Sequence, residues 1–94
     1  VSTVPSEEDL LRMYPPYKYD PAYGRYLLGL AEAVRAVVDA ERGDRTGVEH
    51  HARQAAANFT VAGSPHTAGS GNMATRIQAV RDWLVKKANV ELAL

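Results

Sequence analysis

The stretch from Asp20 to Arg42, DPAYGRYLLGLAEAVRAVVDAER, constrains the fold more than any other part of the chain. Its bulky apolar residues recur every three or four positions, which predicts an amphipathic helix. The stripe expected to face the core consists of Tyr23, Leu27, Leu30, Val34, Val37 and Val38. Asp20 can cap this helix, Pro21 suits its first turn and Gly43 can end it. Every other segment is then a candidate to pack against the stripe.

A second long helix is expected over about residues 47–62. Thr46 and Glu49 have the spacing of a capping box, which places the start of the helix just after Thr46. The predicted core stripe consists of Val48, Ala52, Ala55, Phe59 and Ala62. Because the connection to the preceding helix is short, the two helices are expected to form an antiparallel hairpin.

A third long helix is expected over about residues 72–92, and nothing in the sequence caps its C-terminal end. Its predicted core stripe consists of Met73, Ile77, Val80, Leu84 and Ala88. The preceding residues 63–71, GSPHTAGSG, are rich in glycine and serine and contain a proline. This composition predicts a flexible loop without regular structure.

The first twenty residues predict three short pieces. Residues 1–5 are expected to be a loose arm, and a short helix over residues 7–13 has an apolar edge of Leu10, Met13 and Tyr14. Adjacent prolines then predict an extended segment over residues 14–20, which carries Tyr14, Tyr17 and Tyr19. This segment is either a connector laid over the edge of the core or a contact surface for another chain.

The 94 residues are therefore interpreted as one soluble all-α domain. The expected architecture is a small bundle of three longer helices with a short N-terminal helix and an extended Tyr/Pro segment. Alanine supplies many of the apolar residues, so large core side chains are few. A thin core of this kind often gains stability from a partner or from copies of itself.

Charge is balanced over the whole chain but differs between its ends. Eleven basic and eleven acidic side chains give a net charge of zero, whereas duplex-binding proteins usually have a positive excess. Residues 1–20 hold four acidic and two basic side chains, and residues 63–94 hold two acidic and four basic ones. The acidic head and the basic tail could attract each other within one molecule or between neighbours.

Several classes of protein find no support in the sequence. The chain has no cysteine and therefore no disulfide or thiolate metal site, and no apolar run approaches the roughly 20 residues that span a bilayer. No signal peptide opens it, and no nucleophile–base set or cofactor motif can be named. We therefore expect a protein without enzymatic activity, cofactor or membrane partner, whose compartment is unknown.

The segment HHARQAAAN is the most specific pattern in the chain. His50, Arg53 and Asn58 are separated mostly by small residues, and His50 lies opposite the predicted core stripe of its helix. This spacing resembles the signature of histidine phosphotransfer (HPt) domains, although Gln54 stands where that family has glycine. The resemblance implies His50 as a phosphoacceptor and Arg53 as the residue that steadies the phosphoryl group. The alternative interpretation is an exposed histidine on an ordinary amphipathic helix.

Trp83 lies at the edge of the last predicted stripe, in line with Arg76 and Lys87. A tryptophan with basic neighbours is typical of the edge of a core, of a protein interface, or of a surface that stacks single-stranded nucleic acid. The three histidines of the chain do not have the spacing of a metal site.

The sequence thus predicts a non-catalytic helical domain for protein interaction or self-assembly. A subunit or fragment of a larger structural particle or filament, such as a viral or phage structural protein, fits this description, and a first residue other than methionine suggests a fragment. The predicted interface residues are Tyr14, Tyr17, Tyr19, Arg76, Trp83 and Lys87. The alternatives are phosphotransfer through His50 and nucleic-acid binding through the Arg76, Trp83 and Lys87 edge.

Overall fold

A computed structural model describes residues 20–94, and that part of the chain contains three α-helices and no strand. The helices are α1 (Pro21–Glu41), α2 (Arg45–Ala62) and α3 (Met73–Ala88), and one turn of 3-10 helix, Ser70–Asn72, leads into α3. The all-α class is therefore confirmed for the described residues. The predicted N-terminal arm, the short helix over 7–13 and the extended segment up to residue 19 lie outside them.

The first helix begins as its sequence predicts, and the second does not. The Asp20 side chain accepts a hydrogen bond of 3.1 Å from the backbone N–H of Tyr23, and Pro21 occupies the first helical position. In α2 the cap is Asp44, whose carboxylate accepts from the backbone N–H of Gly47 at 2.9 Å. The expected capping box at Thr46 is thus wrong, because Asp44 satisfies the free amide of the first turn two residues earlier.

The end of α3 is capped by another helix. Asn89 adopts a left-handed conformation (φ 51°) after Ala88, so the helix stops four residues before its expected end at residue 92. The guanidinium of Arg45, in the first turn of α2, donates to the carbonyl oxygens of Ala88 and Asn89, each at 2.6 Å. These carbonyls have no partner within the helix, so the Arg45 fork replaces the hydrogen bonds that continuation of α3 would supply.

The buried face of α1 differs from the predicted stripe by a rotation of about 100°, the angle between successive residues of a helix. Val34 and Val38 are 46% and 38% exposed. The buried residues are mostly small: Ala22, Gly29, Ala33, Ala36 and Val37. The prediction is confirmed for Val37, and Tyr23 and Leu30 pack against the edge of the core. It was wrong for Val34 and Val38, because α1 approaches α2 closely through a face with almost no side-chain bulk.

The predicted stripes of the other two long helices are confirmed. Each of their residues is buried, and Phe59 and Leu84 are among the largest fully buried side chains. The Phe59 ring fills the space left by Gly29, since a β-carbon at that position would lie 2.5 Å from the Cε1 atom of the ring. Small residues on α1 thus leave space for large side chains of the helices that pack against it.

Contacts between side chains fix the directions of the helices. Glu32 and Arg25 of α1 contact His51 and Asn58 of α2, so residues later in α1 meet residues earlier in α2. The two helices are therefore antiparallel, as their short connection predicts. On the other side of α1, Tyr23 contacts Arg76 of α3, and residues one to three turns further along both helices line a shared groove, so α1 and α3 run in the same direction.

The segment from residue 63 to residue 71 is folded into turns. Successive backbone hydrogen bonds join Thr67 to Ser64 and Ser70 to Thr67, and the backbone N–H of Ala22 donates to the carbonyl of Ala68 at 3.1 Å. Gly69 has a positive φ of 86°, and a side chain there would collide with Asp20. The start of α1 therefore anchors a segment for which no regular structure was expected, and its last residues belong to the 3-10 turn.

Replacement of Gly29 by alanine tests the close approach of α1 and α2. Alanine is favoured over glycine in a helix by about 1 kcal/mol. The added methyl group, however, meets a ring that is 1% exposed and has no room to move. We expect Gly29→Ala to lower the free energy of unfolding by about 1–2 kcal/mol, measured by urea denaturation.

Gly71→Ala is the control, because beyond the two neighbouring residues in the chain no atom lies within 4 Å of the added β-carbon. Its effect should stay within about 0.5 kcal/mol. A Gly29→Ala variant as stable as the original chain would contradict the packing described for Phe59.

Candidate interaction surface

A concavity with an almost exclusively apolar lining lies on the outside of the seam between α1 and α3. It is an open groove of about 330 Å³, and it is lined by Leu30, Val34, Ala79, Val80 and Trp83. We call it the Trp83 groove. The indole N–H of Trp83 is the single side-chain hydrogen-bond donor among these five residues, and almost all of the lining surface is apolar, so the groove suits apolar groups.

Exposed valines extend the groove along α1. Val34 and Val38 are separated by one helical turn, so they lie on the same face, and both are more than one-third exposed. Together with Leu30, which packs partly against the core, they form an apolar strip that α2 and α3 leave partly exposed. A contiguous exposed apolar surface bordered by charged residues is typical of a site for another polypeptide.

Of the three predicted interface residues of α3, only Trp83 is among the residues that line the groove. Trp83 is half-buried and lines it, and Lys87 is exposed one turn beyond Trp83. The guanidinium of Arg76 lies 5.5 Å from the ring centre of Tyr23 and 5.9 Å from that of Tyr26. Arg76 therefore stacks on tyrosines of α1. The predicted interface residues Tyr14, Tyr17 and Tyr19 lie outside the described part of the chain.

The aromatic residues of α1 form a stack that the sequence analysis missed. Tyr23 and Tyr26 have ring centres 6.2 Å apart with nearly parallel planes, and Tyr26 lies 5.9 Å from Phe59. Arg76 closes the outer end of this stack through its cation–π contacts. The signal available in the sequence was the three-residue spacing of the two tyrosines, which puts them on one side of a helix. This stack links all three helices next to the groove.

On the opposite side of α1, a histidine bridges two carboxylates. The Nδ1 atom of His51 lies 2.6 Å from Glu32 Oε2, and its Nε2 atom lies 3.5 Å from Asp39 Oδ2. All three side chains are less than one-fifth exposed. Glu32 and Asp39 lie on the polar side of the amphipathic α1, yet they are mostly removed from solvent, because the antiparallel hairpin brings His51 against them. Their seven-residue spacing, two turns of one helix, was the available signal.

The residues of the HPt resemblance lie on the outer face of α2. His50 and Arg53 are both exposed, and the ring of His50 meets the edge of the His51 ring with centres 5.0 Å apart. Exposure satisfies one requirement of a phosphoacceptor, and phosphotransfer stays a prediction. Among residues 20–94, no three His, Asp or Glu side chains are arranged to hold a metal ion.

Within residues 20–94, no polar or charged residue is buried, and no buried side-chain nitrogen or oxygen atom lacks a hydrogen-bond partner. None of the three helices is long and apolar enough to cross a membrane. Comparison of the chain with protein-family models, with curated proteins and with solved structures gives no significant match.

Substitution of His51 tests the polar contact between α1 and α2. His51→Ala removes both contacts and leaves Glu32 and Asp39 close together without the group between them. We expect the free energy of unfolding at neutral pH to fall by about 1 kcal/mol, measured by urea denaturation. His50→Ala is the control, since the neighbouring His50 is exposed. Equal effects of the two substitutions would contradict a specific role for His51.

Proposed function

We propose that this protein is a non-catalytic helical domain for protein interaction or self-assembly and that the Trp83 groove is its docking surface. The observation that carries the proposal is the almost wholly apolar lining of an open groove between two helices. An aliphatic or aromatic side chain of another polypeptide would bury the exposed faces of Val34 and Trp83. Binding energy in protein interfaces is concentrated in central residues of this kind, tryptophan above all.

The core supports a role in assembly. Most of the buried residues of α1 and α2 are alanine, so their removal from water stabilises the fold only modestly. The larger apolar side chains of α1 lie at the border of the core, where a neighbouring molecule can cover them. A subunit or fragment of a larger structural particle or filament is consistent with this distribution.

The groove favours a protein over a nucleic acid as the partner. Arg76, part of the edge predicted for nucleic-acid binding, is stacked on two tyrosines, and the whole chain has a net charge of zero. Binding to phosphates requires an excess of basic side chains on one face. Nucleic-acid binding through Trp83 and Lys87 is the less supported alternative, and a steep loss of affinity with rising salt would identify it.

Replacement of Val34 by lysine tests the groove as a docking surface. Val34 is 46% exposed, so the substitution leaves the core intact while it places a charge in the groove. We expect self-association, measured by sedimentation velocity over a concentration series, to weaken by about tenfold or more.

Val61→Lys is the matched control, because Val61 is 40% exposed and lies on α2 away from the groove. Circular dichroism should show the same helix content for both variants. A wild-type chain that is monomeric throughout the series, or equal association of the two variants, would contradict the proposal.

Phosphotransfer through His50 is a second candidate function, and it rests on the exposure of His50 and Arg53. In this reaction a ring nitrogen of His50 attacks the phosphorus of a phosphoryl donor, a P–N bond forms, and the donor's P–O bond breaks. Incubation with acetyl phosphate should then add about 80 Da, the mass of one phosphoryl group, in an acid-labile form. Intact mass spectrometry measures the adduct. Absence of an adduct, or its persistence in His50→Gln, would exclude this function.

A further inference from the structure

The Trp83 groove lies within reach of the part of the chain that precedes the described residues. Residues 1–19 end immediately before Asp20, the N-cap of α1. Leu30 and Val34 lie about 15 and 21 Å further along the axis of α1. The extended segment predicted for YPPYKY, residues 14–19, spans about 19 Å at 3.1 Å per residue. A chain that turns back along α1 therefore brings Met13 and Tyr14 to the level of the groove.

We propose that residues 7–14 of this chain occupy its own Trp83 groove. This inference rests on the proposed function, because it takes the same groove to be the site that a partner uses. The occupant is the short amphipathic helix predicted over residues 7–13, with Leu10, Met13 and Tyr14 turned toward the groove lining. An unbranched methionine and a leucine suit an open apolar groove, because they fill irregular space and require no polar partner.

The charges of the N-terminal segment and of α3 favour one orientation of the segment in the groove. Because α1 and α3 run in the same direction, Lys87 lies one turn beyond Trp83, at the end of the groove away from Asp20. A segment that follows α1 back from Tyr14 carries its acidic residues toward that end. Glu7, Glu8 and Asp9 would then approach Lys86 and Lys87, which are exposed and form no ion pair with residues 20–94.

Occupation by a tethered segment makes docking of another chain a competition. A short tether holds the segment near the groove at an effective concentration in the millimolar range. If the groove is open in about 1% of molecules, the apparent dissociation constant of a partner rises about 100-fold. The N-terminal segment thus sets the concentration at which the domain associates.

Disulfide trapping in the full-length chain tests this proposal, because the chain has no native cysteine. The test pair is Met13→Cys with Val34→Cys, and the control pair is Met13→Cys with Val61→Cys. Val61 lies one turn beyond Asn58, which contacts Arg25 near the start of α1, so an arm that moves at random meets it readily. With a mild oxidant at low protein concentration, we expect the test pair to form an intramolecular disulfide about tenfold faster than the control pair.

The products distinguish the possible occupants. Equal rates for the two pairs would overturn the proposal. A disulfide-linked dimer as the main product of the test pair would assign the groove to a second copy; this also overturns the proposal, while it supports the proposed function. If instead the intramolecular disulfide forms but Val34→Lys leaves association unchanged, the N-terminal segment occupies the groove and the proposed function fails.

Fluorescence of Trp83, the single tryptophan of the chain, gives a second measurement that requires no substitution in the groove. A contact quencher attached to Met13→Cys should reduce Trp83 emission by at least half, and concentrated urea should abolish the effect. The same label on Val61→Cys is the control. Emission that is no lower with the label at position 13 than at position 61 would contradict occupation of the groove.

Discussion

The contact between the Phe59 ring and the backbone of α1 at Gly29 determines how the helices pack. Only glycine leaves room for this ring, since a β-carbon would lie 2.5 Å from its Cε1 atom. The approach of α2 is then set by the small residues on either side, which include Ala33 and Ala36. Close approach gains dispersion contacts along both helices but buries little apolar area per residue. The larger side chains of α1 are consequently left at the border of the interface.

Polar contacts at one end of the molecule join the three helices. Arg45 connects the start of α2 to the last carbonyls of α3. The backbone N–H of Asp44 donates to the Asp39 carbonyl at 2.9 Å, and the Asp39 carboxylate packs against Gly47, where a β-carbon would collide with it. These contacts hold the bend between α1 and α2 and give α3 a definite end. Hydrogen bonds of the backbone and of Arg45 therefore contribute stability that a core with few large apolar side chains does not supply.

Much of the secondary structure could be predicted from the sequence, because it depends on local chemistry. Asp20 caps α1 as expected, and the apolar spacing of α2 and α3 identifies their buried residues. The face of α1 could not be predicted in the same way. Its bulky stripe is more hydrophobic than its alanine face, but the choice between them depends on which face fits Phe59, and that is a property of the packed helices.

For the candidate site too, features that depend on one helix could be predicted and contacts between helices could not. Trp83, which lines the groove, was singled out because it lies with Arg76 and Lys87 on one face of a single helix, and periodicity identifies such sets. The other half of the groove, formed by Leu30 and Val34, was assigned to the core. The His51 contact with Glu32 was missed for a related reason, since it joins positions on two helices. Spacing within one helix says nothing about contacts that depend on the hairpin.

The position of the groove links docking to folding. The seam between α1 and α2 is closed by small residues and by the His51 contacts, whereas the seam with α3 is open at Trp83. Full burial of a valine or leucine side chain contributes about 1.5–3 kcal/mol, so covering Val34, which is 46% exposed, contributes about 1 kcal/mol. A domain of this size has a total stability of roughly 5–15 kcal/mol. A segment that fills the groove therefore adds an appreciable fraction of the stability of the fold. Because anything that binds only the folded state raises its stability by mass action, occupation of the groove and folding of the domain support each other.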